Sequence, residues 1–215
     1  MILVPVKNLA NAKQRLAHVL DQSARTELAH AMLEDVLLAL ADSSADEVSL
    51  VTSDPFALEM ADHHRVAVIR DDSNHGETAA IEMATKVCES RGIQTTLVIP
   101  GDIPLVEASD VRAIYEAAPA GGAVLVPAAD QRGTNAVLRR PAALFPLRFG
   151  NDSFMPHLTA AIASHKTCVV LSLPRIALDV DTPEDLQQLV SAPGGKRSQI
   201  LARKLGFSEA AVVKP

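Results

Sequence analysis

Residues 95–105 read TTLVIPGDIPL, an apolar run rich in β-branched residues that passes into a stiff turn. Such a run favours a buried strand, and its prolines and glycine end the strand around Asp102. Other strands are predicted at residues 2–6, 48–52, 66–69 and 123–127, all dominated by apolar residues. Strands without polar alternation belong to a sheet that is covered on both faces. The sequence therefore predicts a mostly parallel sheet packed between helices.

Helical patterns separate these strands. Between residues 23 and 41 the apolar residues recur at spacings of three and four, and Ser23 can cap the first turn. A second helix is predicted at residues 78–91, ending at Gly92, a residue that suits the position after a helix. Strands that alternate with helices of this length define an α/β protein.

The last third of the chain is less regular. A helix is predicted near residues 153–164, and another begins at Thr182, which can act as its cap before a proline. A Pro-Gly-Gly linker then follows. We therefore expect one domain over residues 1–191 and a helical appendage over residues 192–215, which could make the contacts of a homodimer.

Composition excludes several classes. The 215 residues carry a formal charge of −6, whereas nucleic-acid binding depends on clustered cations. No apolar run approaches the ~20 residues that cross a bilayer. The N-terminus lacks a basic segment before its apolar run and is interpreted as a strand rather than a signal peptide. We expect a cytoplasmic protein without a nucleic-acid or membrane partner.

A basic loop follows the first predicted strand. Lys7, Lys13 and Arg15 fall within nine residues at the carboxyl end of that strand, where open parallel sheets bind ligands. These cations suit a polyphosphate, although a solvated basic loop would have the same composition. The chain contains no P-loop, no dinucleotide fingerprint and no serine-hydrolase elbow.

Carboxylates follow two other segments of the chain. Asp102 lies in the turn after its strand, and residues 178–186 read LDVDTPEDL. If Asp179 and Asp181 are in extended backbone, they lie on one face and repel each other unless a cation joins them. Mg²⁺ usually takes one or two carboxylates together with substrate phosphates. The alternatives are a turn aspartate at Asp102 and a helix cap at Asp181.

Hydroxyls and glycines form the third signal. Residues 131–135 read QRGTN, and residues 149–154 read FGNDSF just before a predicted helix. Backbone N–H groups and hydroxyls at such a position can bind an anion. Ordinary capping by Asp152 or Ser153 is the competing interpretation. The seven histidines show no metal-binding spacing and are interpreted as surface or hydrogen-bonded residues.

Taken in order, these motifs resemble one family, the guanylyltransferases of deazaflavin coenzyme biosynthesis, which act on 2-phospho-L-lactate or phosphoenolpyruvate. The resemblance covers roughly residues 1–190. It extends more broadly to nucleotidyltransferases with a molybdopterin-guanylyltransferase-like, Rossmann-like fold in three α/β/α layers. The motifs that carry it are PVK at residues 5–7, AKQRL at 12–16, PGDIPL at 100–105, GTN at 133–135, FGNDSF at 149–154 and LDVDTPEDL at 178–186.

The resemblance implies a transferase reaction. A small phosphorylated three-carbon acid (2-phospholactate, phosphoenolpyruvate or phosphoglycerate) attacks the α-phosphorus of GTP, and pyrophosphate leaves. Mg²⁺ is the implied cofactor. By similarity, Asp102, Asp179 and Asp181 hold the metal, the basic loop neutralises the triphosphate, and Gly101 belongs to the nucleotide site. The acceptor residues implied are Gly133, Thr134, Asn135, Gly150 and Ser153.

The loop after the third strand departs from the family. Members typically carry Gly-Leu-Asn-Ala at this loop, which opens a helix near the nucleobase, whereas this chain has Gly76, Glu77 and Thr78 at the implied nucleotide site. A carboxylate can accept from guanine N1–H and N2–H₂ together, so Glu77 is predicted to face the base and to favour GTP. It could instead only open the helix. A sugar- or alditol-phosphate nucleotidyltransferase and a non-catalytic nucleotide-binding module remain alternatives.

Overall fold

A computed structural model describes residues 1–72 and 75–208. Within that part of the chain the strands form one seven-stranded sheet. The first four strands in sequence pair in parallel, in the order β3-β2-β1-β4. The strands are β1 Ile2–Pro5, β2 Val48–Val51, β3 Ala67–Ile69, β4 Thr96–Val98, β5 Gly122–Pro127, β6 Thr134–Arg140 and β7 Thr167–Val170.

The second part of the sheet reverses one strand. β6 lies between β4 and β5 and is antiparallel to both, whereas β7 pairs in parallel with β5. The sequence-based expectation of a mostly parallel sheet is therefore confirmed. Because β6 runs backwards, its first residues lie at the same edge of the sheet as the carboxyl ends of β1 and β4.

Helices cover both faces. The apolar side chains of β1 alternate between two clusters: Ile2 and Val4 pack with helices α1, α2 and α4, and Leu3 packs with α3 and α5. The structure is thus the predicted three-layer arrangement. The helices are α1 Gln22–Ser43, α2 Pro55–His64, α3 Glu77–Ser90, α4 Ala108–Ala117, α5 Phe154–Ala163, α6 Pro174–Ala177, α7 Pro183–Ser191 and α8 Arg197–Lys204.

Local sequence explains the helix ends, with one correction. The cap of α1 is Asp21, whose carboxylate accepts from the amide of Ala24; the prediction of Ser23 as cap was wrong by one half-turn. Thr182 caps α7 as predicted, and Asp185 completes the reciprocal capping box. Asp181 is therefore not needed as a helix cap.

Helix α8 lies on the body of the protein. Its residue Ala202 is buried in a third apolar cluster with residues of α1 and α7. The carboxylate of Asp35 on α1 accepts from the amides of Arg197 and Ser198. Within the predicted appendage, the helix Arg197–Lys204 thus packs on its own chain, and residues 209–215 lie outside the described residues. No helix within residues 1–72 and 75–208 is long and apolar enough to cross a membrane.

Candidate active site

The site forms where the ends of β1 and β4 meet. Asp102 follows β4 in a turn, and the amide of Val180 donates to the Asp102 carbonyl oxygen (3.1 Å). This backbone contact joins the two acidic segments of the sequence. Gly101 lies against α1, since an added Cβ would be 3.1 Å from Leu33 Cδ1. The glycine thus has a packing role beside its predicted contact with a nucleotide.

Lys13 joins two of the three predicted metal ligands. Its ammonium nitrogen lies 2.8 Å from Asp102 Oδ2 and 2.9 Å from Asp181 Oδ1. Lys13 has a left-handed backbone (φ 56°) between two short 3₁₀ turns, which brings its side chain back under the sheet edge. That side chain is only 6% exposed, whereas the two carboxylates are about a third exposed.

The shared cation changes the acidity of the cluster. Burial opposes the charge on Lys13, but Asp102 and Asp181 outweigh it and raise the pKa of the ammonium group. Burial likewise opposes ionisation of Asp181, yet Lys13 and Arg15 hold its pKa below the ordinary value. The charges of Lys13 and Asp181 therefore persist at neutral pH, each as the counterion of the other.

The predicted basic loop is divided between two places. Arg15 lies 3.7 Å from Asp181 Oδ2 and is mostly exposed. Lys7 instead pairs with Asp71 (2.8 Å) and donates to the Gly76 carbonyl (3.0 Å). Lys7 thus ties the end of β1 to the start of α3, and the three cations surround the site rather than forming one cluster.

Glu77 is the first residue of α3 and lies between two cavities. Burial raises its pKa to about 7; the charge of Asp102 adds to this shift and Lys7 opposes it. The next residue, Thr78, accepts from the amide of Phe149 through its hydroxyl (2.9 Å). The loop before α3 is therefore connected to the loop that precedes α5.

The first cavity lies beside α1 and has a volume of about 290 Å³. Its wall is mixed, with apolar side chains from α1 and the loop after β1 on one side and charged groups on the other. The charged residues are Lys7, Lys13, Glu77, Asp102 and Asp181.

The second cavity, of about 440 Å³, opens on the other side of Asp102 and Asp181. Polar groups dominate its wall. All five predicted acceptor residues line it, together with the third predicted metal ligand, Asp179, and with Arg15. The acceptor residues are Gly133, Thr134, Asn135, Gly150 and Ser153. The structure thus brings together residues as far apart in the sequence as Arg15 and Asp179.

Asp179 is held differently from the other two carboxylates. Its Oδ1 accepts from Asn135 Nδ2 (3.0 Å), and the same amide donates to the carbonyls of Ile176 and Ala177. Burial raises the pKa of Asp179; the Asn135 hydrogen bond opposes this, and the nearby Asp102 and Asp181 add to it. Asn135 therefore positions a carboxylate, which the sequence did not show.

Ser153 does not cap α5 through its side chain. Its buried hydroxyl accepts instead from the amide of Thr134 (2.9 Å), across the second cavity wall. Asp152 does not act as the N-cap either: it pairs with Arg132 at the cavity rim. Of the two capping candidates, Ser153 occupies the N-cap position, but its side chain makes no capping hydrogen bond and instead joins the start of α5 to the start of β6.

The carboxylates do not form a ready-made three-ligand cluster. Over the described ranges 1–72 and 75–208, no group of three acidic, histidine or cysteine side chains is gathered closely enough to hold a metal ion. Asp102 and Asp181 nevertheless converge on one cation, the ammonium of Lys13. Mg²⁺ is usually bound by one or two protein carboxylates, with substrate phosphates as further ligands. Two carboxylates that converge in this way fit such a site.

Comparison with solved structures shows the class of fold. A crystal structure from Desulfovibrio desulfuricans G20 superposes with a TM-score of 0.78 at 21% identity, covering 94% of this chain and 93% of that one. A cytidylyltransferase from Leptospira borgpetersenii superposes with a TM-score of 0.58 at 14% identity, over 95% and 92% of the two chains. The fold is that of the nucleotidyltransferases.

Sequence comparison narrows this class to a family. Residues 1–213 match the family described as "Guanylyl transferase CofC like", and the chain belongs to it. A phosphoenolpyruvate guanylyltransferase of Rubrobacter xylanophilus is 38% identical over 193 residues, 89% of this chain and 94% of that protein. A 2-phospho-L-lactate guanylyltransferase of Methanothermobacter thermautotrophicus is 32% identical, over 99% and 92% of the two chains. The resemblance stated from the motifs is confirmed.

Proposed function

We propose that this protein transfers GMP from GTP to the phosphate of a small phosphorylated three-carbon acid, with release of pyrophosphate. The observation that carries the proposal is the position of the Asp102–Lys13–Asp181 cluster between two cavities of different character. The first cavity has an apolar wall and two lysines, which suit a nucleoside triphosphate. The second is polar and lined by hydroxyls, which suits a compact acid with two anionic groups. The family and the relatives' names support the same reaction.

The chemistry requires little acid or base catalysis. The acceptor's phosphate is already an anion, so one of its oxygens can attack the α-phosphorus directly. A new P–O–P bond forms, the bond from the α-phosphorus to the bridging oxygen breaks, and pyrophosphate takes the electron pair. What the protein must supply is charge neutralisation and in-line alignment. Lys7, Lys13 and Arg15 are the cations placed to do this.

The carboxylates are proposed to hold Mg²⁺. Asp102 and Asp181 would be ligands, and Asp179, in the wall of the same cavity, would add a third carboxylate. A dication would offset the repulsion between these three negative charges. When bound, the ion would neutralise phosphate charge during the transfer. Lys13 would then remain beside the carboxylates as a second positive charge and hold their orientation.

Glu77 is proposed to select the base. It lines both cavities at the start of α3, and a carboxylate complements the two adjacent donors of guanine. A wrong base would leave polar groups unpaired in a half-buried position. The test compares the native protein with the Glu77→Gln variant. This role is supported if the native protein prefers GTP and the variant shows a weaker preference. Equal use of other triphosphates by the native protein refutes it.

The test is a matrix of substrates. The four nucleoside triphosphates are each combined with phosphoenolpyruvate, 2-phospholactate, 3-phosphoglycerate and a set of sugar phosphates, and products are identified by mass spectrometry. We expect a GDP-linked acid and an equivalent amount of pyrophosphate. If a product forms only with sugar phosphates, the acceptor is a sugar phosphate and the proposed phospho-acid is wrong. If no nucleotide is transferred to any acceptor, the proposed activity is contradicted.

A further inference from the structure

A buried histidine stands behind the second cavity. His157, on α5, has no exposed surface, and it forms two hydrogen bonds through its ring. Its Nε2 lies 2.8 Å from the amide nitrogen of Arg148, and its Nδ1 lies 3.0 Å from Thr134 Oγ1. The ring of Phe149 packs edge-on against it at 5.0 Å between centroids. The imidazole is thus fixed from three sides.

These contacts determine which ring nitrogen carries the proton. A backbone amide can only donate, so Nε2 must accept from Arg148. Burial lowers the pKa of His157 to about 4, and the charge of Arg139 acts in the same direction. A neutral ring that accepts at Nε2 carries its hydrogen on Nδ1. His157 therefore donates from Nδ1 to the hydroxyl oxygen of Thr134.

The direction of that bond sets the direction of the next one. Because Thr134 Oγ1 accepts from the imidazole, its own hydrogen is left to donate to another group. Thr134 lines the second cavity, where Ser153 is its neighbour. The Ser153 oxygen accepts from the Thr134 amide in the same way. Each of the two hydroxyl oxygens thus accepts one bond from the protein, and its hydrogen is left to donate to an anionic ligand in that cavity.

We propose that His157 is a positioning residue for the acceptor: it fixes the Thr134 hydroxyl as a hydrogen-bond donor to a phosphate or carboxylate oxygen. The inference rests on the proposed function, since it identifies the second cavity as the acceptor site. His157 itself is not among the lining residues of that cavity, and its effect passes through Thr134. The bond from Arg148 also ties the ring to the loop that carries Gly150, so one residue aligns both walls of the cavity.

A spectroscopic measurement tests the tautomer. Long-range ¹H–¹⁵N spectra of the full chain distinguish a neutral imidazole protonated on Nδ1 from one protonated on Nε2. The His157→Asn variant identifies the resonance by its loss. We expect the Nδ1–H form at pH 7, with or without phosphoenolpyruvate. An Nε2–H form, or a charged ring at that pH, would overturn the proposal.

Kinetics test the consequence for the acceptor. His157→Leu removes the donor, and we expect about a five- to tenfold rise in the KM for phosphoenolpyruvate with the KM for GTP unchanged. His157→Asn, whose amide can still donate near the Nδ1 position, should recover most of that loss. In a Thr134→Val background, His157→Leu should add almost nothing.

The outcomes separate the two hypotheses. If His157→Leu does not fold, the Asn variant and Thr134→Val still provide the comparison, because Asn keeps the donor and Val removes its partner. If the enzyme is active and the effects of the His157 and Thr134 substitutions on the KM for phosphoenolpyruvate are additive, the proposed role of His157 is wrong, while the proposed function stands. A native enzyme that transfers GMP to no phospho-acid would contradict the proposed function instead.

Discussion

Lys13 Nζ and Asp102 Oδ2 lie 2.8 Å apart although 89 residues separate them in the chain. The same ammonium bonds Asp181, which lies a further 79 residues along the chain. One buried cation therefore holds the basic loop after β1 against both acidic segments. This arrangement keeps two carboxylates together at the boundary between the two cavities.

Removing that cation should affect stability and turnover together. In Lys13→Met the two carboxylates lose their counterion, and we expect the free energy of unfolding to fall by about 2 kcal/mol. That is less than for a fully buried pair because the carboxylates reach solvent. Turnover should fall at least ~100-fold. Urea unfolding and pyrophosphate release measure the two effects. The control is Lys86→Met on the exposed face of α3, and equal behaviour of the two variants would contradict the role of Lys13.

Asp102→Asn tests the proposed metal ligand. The amide keeps the size of the side chain but loses the charge, so we expect a folded protein with turnover lowered roughly 100-fold. The Mg²⁺ concentration for half-maximal rate should rise. Asp62→Asn, on the exposed side of α2, is the control. Unchanged activity of Asp102→Asn at limiting Mg²⁺ would show that this carboxylate is not a ligand.

Ser153→Ala tests the acceptor wall. The substitution removes a hydroxyl of the second cavity wall whose hydrogen is left to donate to the acceptor, so the KM for the acceptor should rise about fivefold while that for GTP stays within experimental error. Ser164→Ala at the other end of α5 is matched, since that hydroxyl also bonds a backbone group, the Ala161 carbonyl. Equal KM values for the acceptor in both variants would refute the assignment of Ser153.

Glu77 should make stability depend on pH. Its folded pKa of about 7 lies above the value of 4.5 for a free side chain, so its ionisation costs stability, progressively between pH 4.5 and 7. Glu77→Gln removes this cost. The variant should gain stability over the native protein between pH 5 and pH 8, on the order of 1–2 kcal/mol after solvent screening. Glu89→Gln, exposed on the same helix, should show no such change. If the difference in the free energy of unfolding between Glu77→Gln and the native protein does not change between pH 4.5 and 7, the raised pKa of Glu77 is contradicted.

The sequence predicted the chemistry of the site better than its connections. Asp102 could be identified because a carboxylate after a parallel strand lies at the ligand-binding edge. Its pairing with Lys13 could not, since a contact across 89 residues depends on the left-handed turn that returns Lys13 to the sheet. The ion pair between Lys7 and Asp71 was missed for the same reason. The spacing of cations along the chain shows that they are near one another but does not show which carboxylates they pair with.

Ser153 and His157 show a second limit. A serine before a helix is most often interpreted as a cap, yet here Ser153 bonds Thr134 of another element. His157 gave no signal as a lone histidine. The available hint was its position four residues after Ser153, which places both on one face of α5 toward the same wall. Recognising that wall requires the antiparallel strand β6, whose direction the sequence pattern did not reveal.

An isotope experiment tests the central claim most directly. Phosphoenolpyruvate labelled with ¹⁸O in its phosphate group is incubated with the native protein, GTP and Mg²⁺, and the products are weighed by mass spectrometry. If the acceptor's phosphate oxygen attacks the α-phosphorus, every labelled oxygen appears in the GDP-linked product and the pyrophosphate is unlabelled. Pyrophosphate formed with GMP and with unconsumed phosphoenolpyruvate would contradict the account.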